Sequence, residues 1–272
     1  MPELPEVETI KRDLEKVLLK KQITEVIVNN AKVIKEPSPP RFKELLKCAV
    51  CVNIIRRGKL LVLELKTKKA NTWFLAIHLR MTGQVVYGVY DQKSRVSFKL
   101  SDGRFLNYND QRILGELRVI KDWQALNIAI NMGPEPLEAG FRIADFKERL
   151  KKRKTKIKPL LLDQSFVAGL GNIYAAEVLF LSGIGPARIA SGLKPDEIKS
   201  LFENIKKVLK QAIKCRGTSF SDYRDGRGKS GNYLKQLFVY GRNGKDCLKC
   251  KTEIKRTVLG GRGTYYCSQC QK

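Results

Sequence analysis

Residues 60–90, LLVLELKTKKANTWFLAIHLRMTGQVVYGVY, decide the architecture of the first half of the chain. Three apolar runs stand in it, Leu60–Leu65, Trp73–Leu79 and Gln84–Tyr90, each the length of one strand and parted from the next by polar residues or glycine. Working outward, the pattern extends from Ile23–Val28 to about Ile120, with turns at Arg57-Gly58-Lys59 and Ser101-Asp102-Gly103. Short runs joined by tight turns predict an antiparallel sheet or sandwich. Ahead of it, Val7, Ile10, Leu14, Val17 and Leu18 recur at helical spacing and predict an opening amphipathic helix.

Behind it, Gly133-Pro134-Glu135-Pro136 reads as a linker, after which the period becomes helical. Residues 142–153 form a basic helix, and Ile198, Leu201, Phe202, Ile205, Val208, Leu209 and Ala212 draw one apolar stripe. Gly169-Leu170-Gly171-Asn172 precedes a further helix, with Asn172 as its candidate N-cap and Gly183 as its stop. The Gly/Ser/Arg-rich stretch Arg216–Asn232 predicts a mobile loop. The fold class is therefore α+β.

The 272 residues hold 53 Lys+Arg against 27 Asp+Glu, a net charge of +26. Such an excess repels itself unless a polyanion lies alongside, which points to nucleic acid. A merely basic, ribosome-associated protein would fit the charge equally. No apolar run approaches the roughly eighteen residues of a membrane span, so no membrane partner is expected. The start Met1-Pro2-Glu3-Leu4-Pro5-Glu6 is acidic and lacks the features of a secretion signal. A cytoplasmic location with reduced thiols follows as the expectation.

In that setting seven cysteines suggest a metal rather than disulfides. Cys247-x2-Cys250, sixteen further residues and Cys267-x2-Cys270 match four-cysteine zinc spacing. Each pair sits on a tight turn, so two pairs make the tetrahedron zinc prefers, and four thiolates leave no open position. One structural Zn2+ is expected. Cys48 and Cys51 have no second pair and read, with Cys215, as ordinary packed thiols. His78, the single histidine, lies inside an apolar run and reads as structural.

The N-terminus offers chemistry. Removal of Met1, which the small ring of Pro2 permits, exposes a secondary amine. Such an amine adds to an aldehyde-level sugar carbon and gives an iminium, an electron sink for eliminating a neighbouring phosphate. Glu3 and Glu6 stand beside it as acid/base candidates. The same residues also suit the first turn of any helix.

Nine stretches settle the choice: MPELPEVET (1–9), RRGKLL (56–61), HLRMTG (78–83), NDQRILG (109–115), GPEPL (133–137), KTKIKPLLLDQ (154–164), VAGLGNIYAAEVLF (167–180), VYGRNGKDC (239–247) and GRGTYYC (261–267). Together, in this order, they resemble the formamidopyrimidine-DNA glycosylase (MutM-type) family along nearly the whole chain. The resemblance implies a bifunctional DNA glycosylase/AP lyase that excises oxidised purines (8-oxoguanine, formamidopyrimidines) from double-stranded damaged DNA and cleaves by β,δ-elimination, as a monomer. It also implies three domains: a catalytic β-sandwich flanked by helices over 1–132, a helical helix–two-turn–helix DNA-binding domain over 133–236, and a zinc-finger β-hairpin over 237–272.

By that resemblance Pro2 is the nucleophile at C1′, Glu3 the acid that opens the deoxyribose, and Glu6 a supporting carboxylate. Lys59 resembles the lysine that contacts the lesion's phosphate, and Arg262 the zinc-hairpin arginine that grips phosphate during cleavage. Lys154, Lys158, Asn172 and Tyr240 resemble further backbone contacts, and the turn 169–172 offers exposed N–H groups to phosphate. A base inside a duplex must be extruded before it is excised. Met81, Arg112 and Leu114 match the gap-filling trio, with Arg112 facing the orphaned cytosine.

The chain departs from the family at three places. Leu114 stands where an aromatic is usual, Ile113 where a basic residue is frequent, and a histidine-bearing stretch is missing, with Arg95 near its place as a candidate phosphate contact. The rivals are an endonuclease VIII-like enzyme for oxidised pyrimidines, a group that usually has Gly where this chain has Leu4, and a catalytically silent zinc-finger binder. Pro2, Glu3 and Lys59 together argue against the latter.

Overall fold

The opening helix α1 (Leu4–Leu18) buries Leu4, Val7, Ile10, Leu14 and Leu18 along one side, as its spacing requires. Pro5 lies in its first turn, where a missing N–H costs nothing. A computed structural model of the chain describes residues 2–272; Met1, whose removal the amine chemistry needs, lies outside the described residues.

Two sheets follow. The strands are β1 (Ile23–Val28), β2 (Ile34–Glu36), β3 (Val50–Arg57), β4 (Leu60–Lys66), β5 (Thr72–His78), β6 (Gly83–Gly88), β7 (Val96–Leu100), β8 (Phe105–Asp110) and β9 (Glu116–Ile120). They pair in the orders β1-β7-β8-β6 and β2-β9-β5-β4-β3. Among the described residues only the short β2–β9 pair is parallel. The three apolar runs of 60–90 become β4, β5 and β6. The first two pair from Leu60↔His78 to Lys66↔Thr72, while β6 pairs with β8 in the other sheet. Leu61, Leu63, Leu75 and Ile77 of one sheet share a core with Phe98, Leu106 and Tyr108 of the other and with α1. At about 1.5–3 kcal/mol per fully buried large side chain, this core needs no metal to hold it. Helix α2 (Pro39–Leu46) adds Phe42 and Leu46 to it, and the short α3 (Asn127–Ile130) follows the last strand.

The contacts group the chain into two units, Met1–Ile130 with Cys215–Leu234, and Asn131–Lys214 with Lys235–Lys272. The segment Cys215–Leu234, expected from the sequence to belong to the helical domain, clusters with the first unit. The reason is polar: the Arg216 guanidinium bonds Asp13 of α1 and Asp225, and the Thr218 N–H donates to Glu6 Oε1 at 2.8 Å. Gly217 (φ +83°) fits here because a Cβ would fall 2.7 Å from Glu6 Oε1.

The second unit holds α4 (Ile143–Lys151), α5 (Ile157–Leu162), α6 (Asn172–Leu181) and α7 (Pro195–Lys214). The α7 stripe is buried along its whole length. Helix α6 is buried on every side, from Ile173 to Phe180. The expected linker is packed instead: the Gly133 N–H donates to Gln164 O at 2.8 Å, and the Ala168 N–H to Pro134 O at 3.1 Å. The hairpin β10 (Ile254–Leu259) and β11 (Arg262–Cys267) completes this unit. Among the described residues no helix is long and apolar enough to cross a membrane.

Candidate active site and zinc hairpin

In the first unit, Pro2 is buried in the extended segment before α1. Glu3 is the N-cap and Glu6 the third helical residue, and they close a capping box. The Glu3 N–H donates to Glu6 Oε2 at 2.8 Å, and the other Glu6 oxygen receives Thr218. Both carboxylates are only 1% exposed. Both carboxylates thus accept backbone N–H groups, Glu3 that of Glu6 within the box and Glu6 those of Glu3 and Thr218, and Glu3 directly follows Pro2 in sequence.

Lys59, 9% exposed, sits in the β3–β4 turn after Gly58 (φ +56°). That turn is tied down: Arg56 Nη1 donates to Gly58 O at 3.2 Å, and Arg56 Nε pairs with Glu8 Oε2 of α1 at 2.8 Å. Burial opposes ionisation of Glu8, but bonds from Arg56 and Arg12 outweigh it and hold its carboxyl below the usual range. One ion pair therefore links the helix behind Pro2 to the strand before Lys59, a tie no local pattern announces.

His78 Nδ1 accepts the Arg80 N–H at 3.1 Å, so the neutral ring carries its proton on Nε2. Burial, with Arg80 and Lys59 nearby, pushes its pKa down to about 4. It is neutral at physiological pH. Cys51 is buried and its thiol is pushed up to about 12 by that burial.

Met81 and Leu114 are exposed, at 38% and 44%. Arg112 Nη1 lies 3.3 Å from Met81 Sδ, so the structure brings these two together. Leu114 follows Ile113, whose backbone is left-handed at φ +57°. Arg95 is half-buried and donates through Nε to Asp110 O at 2.8 Å. This bond commits one edge of its guanidinium.

In the second unit, Cys247, Cys250, Cys267 and Cys270 hold their four Sγ atoms within 4.8 Å of one another. With Zn–S bonds of about 2.3 Å, a tetrahedral zinc demands sulfurs roughly this close, so the donor set fits. Among the described residues this is the one grouping able to hold a metal. The hairpin it anchors turns at Gly260 (φ +56°) and Gly261 (φ +71°), the left-handed pair a two-residue turn requires. Arg262 follows, exposed, as the first residue of β11.

Two of the expected DNA contacts do other work. Lys158 is 0% exposed, and its ammonium donates to Gly263 O at 2.9 Å and Thr264 Oγ1 at 2.7 Å. It fixes the hairpin to α5 and presents nothing to a surface phosphate. Asn172 is the first residue of α6 rather than its N-cap, which is Gly171, and its Nδ2 donates to Gly263 O at 3.1 Å. The turn 169–171 is buried, with the Gly169 N–H taken by Gln164 Oε1 at 2.9 Å, so it does not offer a row of exposed donors. Lys154 is exposed between α4 and α5. Tyr240 is half-buried, edge-on to Tyr265 with ring centroids 5.1 Å apart.

No local pattern singles out Glu177. Fully buried in α6, it accepts the N–H groups of Phe238, Val239 and Tyr240 at 2.7–3.0 Å. Burial still raises its pKa despite these three bonds. It pins the segment carrying Tyr240 to the helix that starts at Asn172.

Comparison with known proteins accounts for nearly the whole chain. Residues 1–117 match the formamidopyrimidine-DNA glycosylase N-terminal domain, 132–224 the H2TH domain of the same enzymes, and 244–272 the zinc finger found in FPG and IleRS. The chain belongs to the formamidopyrimidine-DNA glycosylase family. It is 43% identical to the formamidopyrimidine-DNA glycosylase of Pelotomaculum thermopropionicum, covering 100% of this chain and 99% of that one. Against the Bacillus cereus (strain ATCC 10987 / NRS 248) enzyme the identity is 40%, at 100% and 99% coverage. Among solved structures, a complex between Lactococcus lactis Fpg and abasic-site DNA matches with TM-score 0.90 and 35% identity over 99% of each chain. The MutM (FPG) protein of Thermus thermophilus matches with TM-score 0.88 and 32% identity, over 99% and 98%. Membership in this family, with its zinc finger, agrees with the four-thiolate site as a structural zinc centre.

Proposed function

We propose that the chain, once Met1 is removed, is a bifunctional DNA glycosylase/AP lyase acting as a cytoplasmic monomer on oxidised purines in duplex DNA. The observation that carries this reading is the first turn: Pro2 buried immediately before a helix whose capping box immobilises Glu3 and Glu6. A surface helix start would not bury its acids.

In the proposed reaction the Pro2 nitrogen gives its lone pair to C1′, and the bond from C1′ to the damaged base breaks. The base leaves with that electron pair and takes a proton. The Pro2 nitrogen gives up its own proton, and Glu3 donates a proton to O4′ as the C1′–O4′ bond opens, leaving a cationic iminium that carries no N–H. The iminium draws electrons from C2′, so loss of a C2′ proton expels the 3′ phosphate, and a second elimination expels the 5′ phosphate. Hydrolysis returns the amine.

Lys59 and Arg262 neutralise phosphate, with Lys154, Tyr240, Arg95 and Asn172 as further backbone contacts, Asn172 through what its bond to Gly263 leaves free. Met81, Arg112 and Leu114 fill the gap left by the extruded base. When bound, zinc supplies no chemistry to the substrate and rigidifies the hairpin bearing Arg262.

The purine preference follows the family name; one Lactococcus lactis Fpg complex contains oxidised-pyrimidine DNA, so the test includes both lesions. Duplexes with 8-oxoguanine opposite cytosine, an oxidised pyrimidine, or a pre-formed abasic site are incubated with the protein and resolved on denaturing gels. The expected result is base loss and a one-nucleotide gap with phosphate at both ends, faster on the purine. Tight binding with neither base loss nor abasic cleavage would leave a silent binder and overturn the proposal.

A further inference from the structure

Met81, Arg112 and Leu114 ride on two loops, 79–82 between β5 and β6 and 111–115 between β8 and β9. Neither loop is relaxed. Arg80 and Ile113 have left-handed backbones at φ +51° and +57°, and for β-branched Ile113 that is an outlier. Such geometry persists only where the surroundings over-determine it.

The surroundings here are one carboxylate. Asp110, 2% exposed at the end of β8, accepts the Thr82 hydroxyl on Oδ1. Its Oδ2 accepts the Gly115 N–H at 2.7 Å and the Tyr108 hydroxyl at 3.4 Å. The Thr82 hydroxyl in turn accepts the Arg112 N–H at 3.2 Å. Asp110 therefore clamps both ends of 111–115, and Thr82 fastens that loop to the one bearing Met81. Gly115 seals the arrangement, since a Cβ there would fall 1.7 Å from the Tyr108 hydroxyl oxygen.

We infer that Asp110 and Thr82 are positioning residues for base extrusion: they hold Met81, Arg112 and Leu114 ready before the base leaves. The inference rests on the gap-filling reading of those three side chains. A wedge offsets unstacking only if it is already in place, because a slack loop must lose its conformational freedom at the moment of extrusion. A carboxylate suits the task because it accepts several donors at once, whereas an amide would turn a donor toward one of them.

The test compares Thr82→Val, which keeps the shape and removes the hydroxyl, with Thr82→Ser, which keeps the hydroxyl, and runs Leu114→Ala beside them. Single-turnover excision of 8-oxoguanine opposite cytosine is measured against cleavage of a pre-formed abasic site, where no base needs extruding. Thr82→Val should slow excision about tenfold, the effect of losing a buried hydrogen bond to a charged acceptor, and abasic cleavage by less than about twofold. Thr82→Ser should stay within about twofold on both. Equal slowing of both reactions by Thr82→Val would reduce the network to folding support and overturn the inference. So would selective slowing by Leu114→Ala with none by Thr82→Val, which leaves the gap-filling reading standing. If Leu114→Ala shows no selectivity, that reading falls and takes this inference with it.

Discussion

Two hairpins each carry a cation proposed to contact phosphate, and they are held by different physics. The β3–β4 hairpin with Lys59 belongs to a five-stranded sheet and buries Ile54, Leu60, Leu61, Val62 and Leu63. The β10–β11 hairpin with Arg262 is a two-stranded ribbon that buries only Ile254, Thr264 and Cys267. A lone two-stranded ribbon is marginal in water. Four thiolates, the buried Lys158 ammonium and Glu177 reinforce the small cluster in which Ile254 and Cys267 pack with Ala176, Phe180 and Val239. Placement by apolar burial is spread over many small contributions and survives the loss of one. Placement by a few ligands is close to all-or-none.

The sharpest way to break that contrast is to remove the metal site. Cys250→Ser should release zinc and unfold the ribbon, since structural zinc contributes on the order of 10 kcal/mol to small fingers. DNA affinity should fall at least tenfold, while helical circular dichroism from α4–α7 persists. Elemental analysis finding no stoichiometric zinc in the parent protein would sink the contrast outright.

Lys158→Met is the next largest. It removes the charged donor from Gly263 O, which keeps its bond from Asn172, and from Thr264 Oγ1, a cost of about 1.5–3 kcal/mol, and should raise amide exchange across 254–267 without loss of zinc. It also separates the two roles offered for this lysine. A phosphate contact would lower the salt slope of DNA binding by about one, whereas a hairpin brace leaves the slope unchanged.

On the sheet side the effects should be modest. Glu8→Gln weakens the tie to Arg56 and should lower stability by about 1 kcal/mol, with the sheet intact. Because the Glu8 carboxyl is held below its usual value of 4.5, this contribution is complete above that pH and is lost as pH falls through the lowered value. Thermal melts of parent and variant should therefore converge in acid. A gap that stays constant down to pH 3 would show that Glu8 stabilises by packing alone.

A separate, pH-dependent effect belongs to His78. Between the ordinary value of 6.5 and about 4, only the unfolded chain takes up its proton, so stability falls as the pH drops through that window. His78→Gln should flatten the pH dependence of melting there. An unchanged slope would place the proton uptake on other groups.

What was legible in the sequence shares one property: it is local. Strands β4–β6, the α7 stripe and the cysteine spacing each declare themselves within a few residues of their own positions. The misread residues have distant partners. Lys158, expected as a DNA-backbone contact, meets Gly263, 105 residues away. Asn172 bonds the same carbonyl, 91 residues on. Glu177 finds its three N–H groups 61–63 residues downstream and carried no signal at all. Gly133-Pro134 has the composition of a linker, yet the close approach of Ser165 and Gln164 is what requires glycine there. Asp110 lay inside a motif chosen for its neighbour Arg112, and only the fold reveals which residue organises that loop.

The most direct test of the covalent chemistry is borohydride trapping on a duplex with 8-oxoguanine opposite cytosine, followed by mass spectrometry of the digested adduct. An iminium at Pro2 predicts one cross-link per chain, located on the N-terminal peptide, with none formed by a chain that retains Met1. A cross-link mapped to Lys59 or another lysine, or normal trapping and cleavage by the Met1-bearing chain, would contradict it.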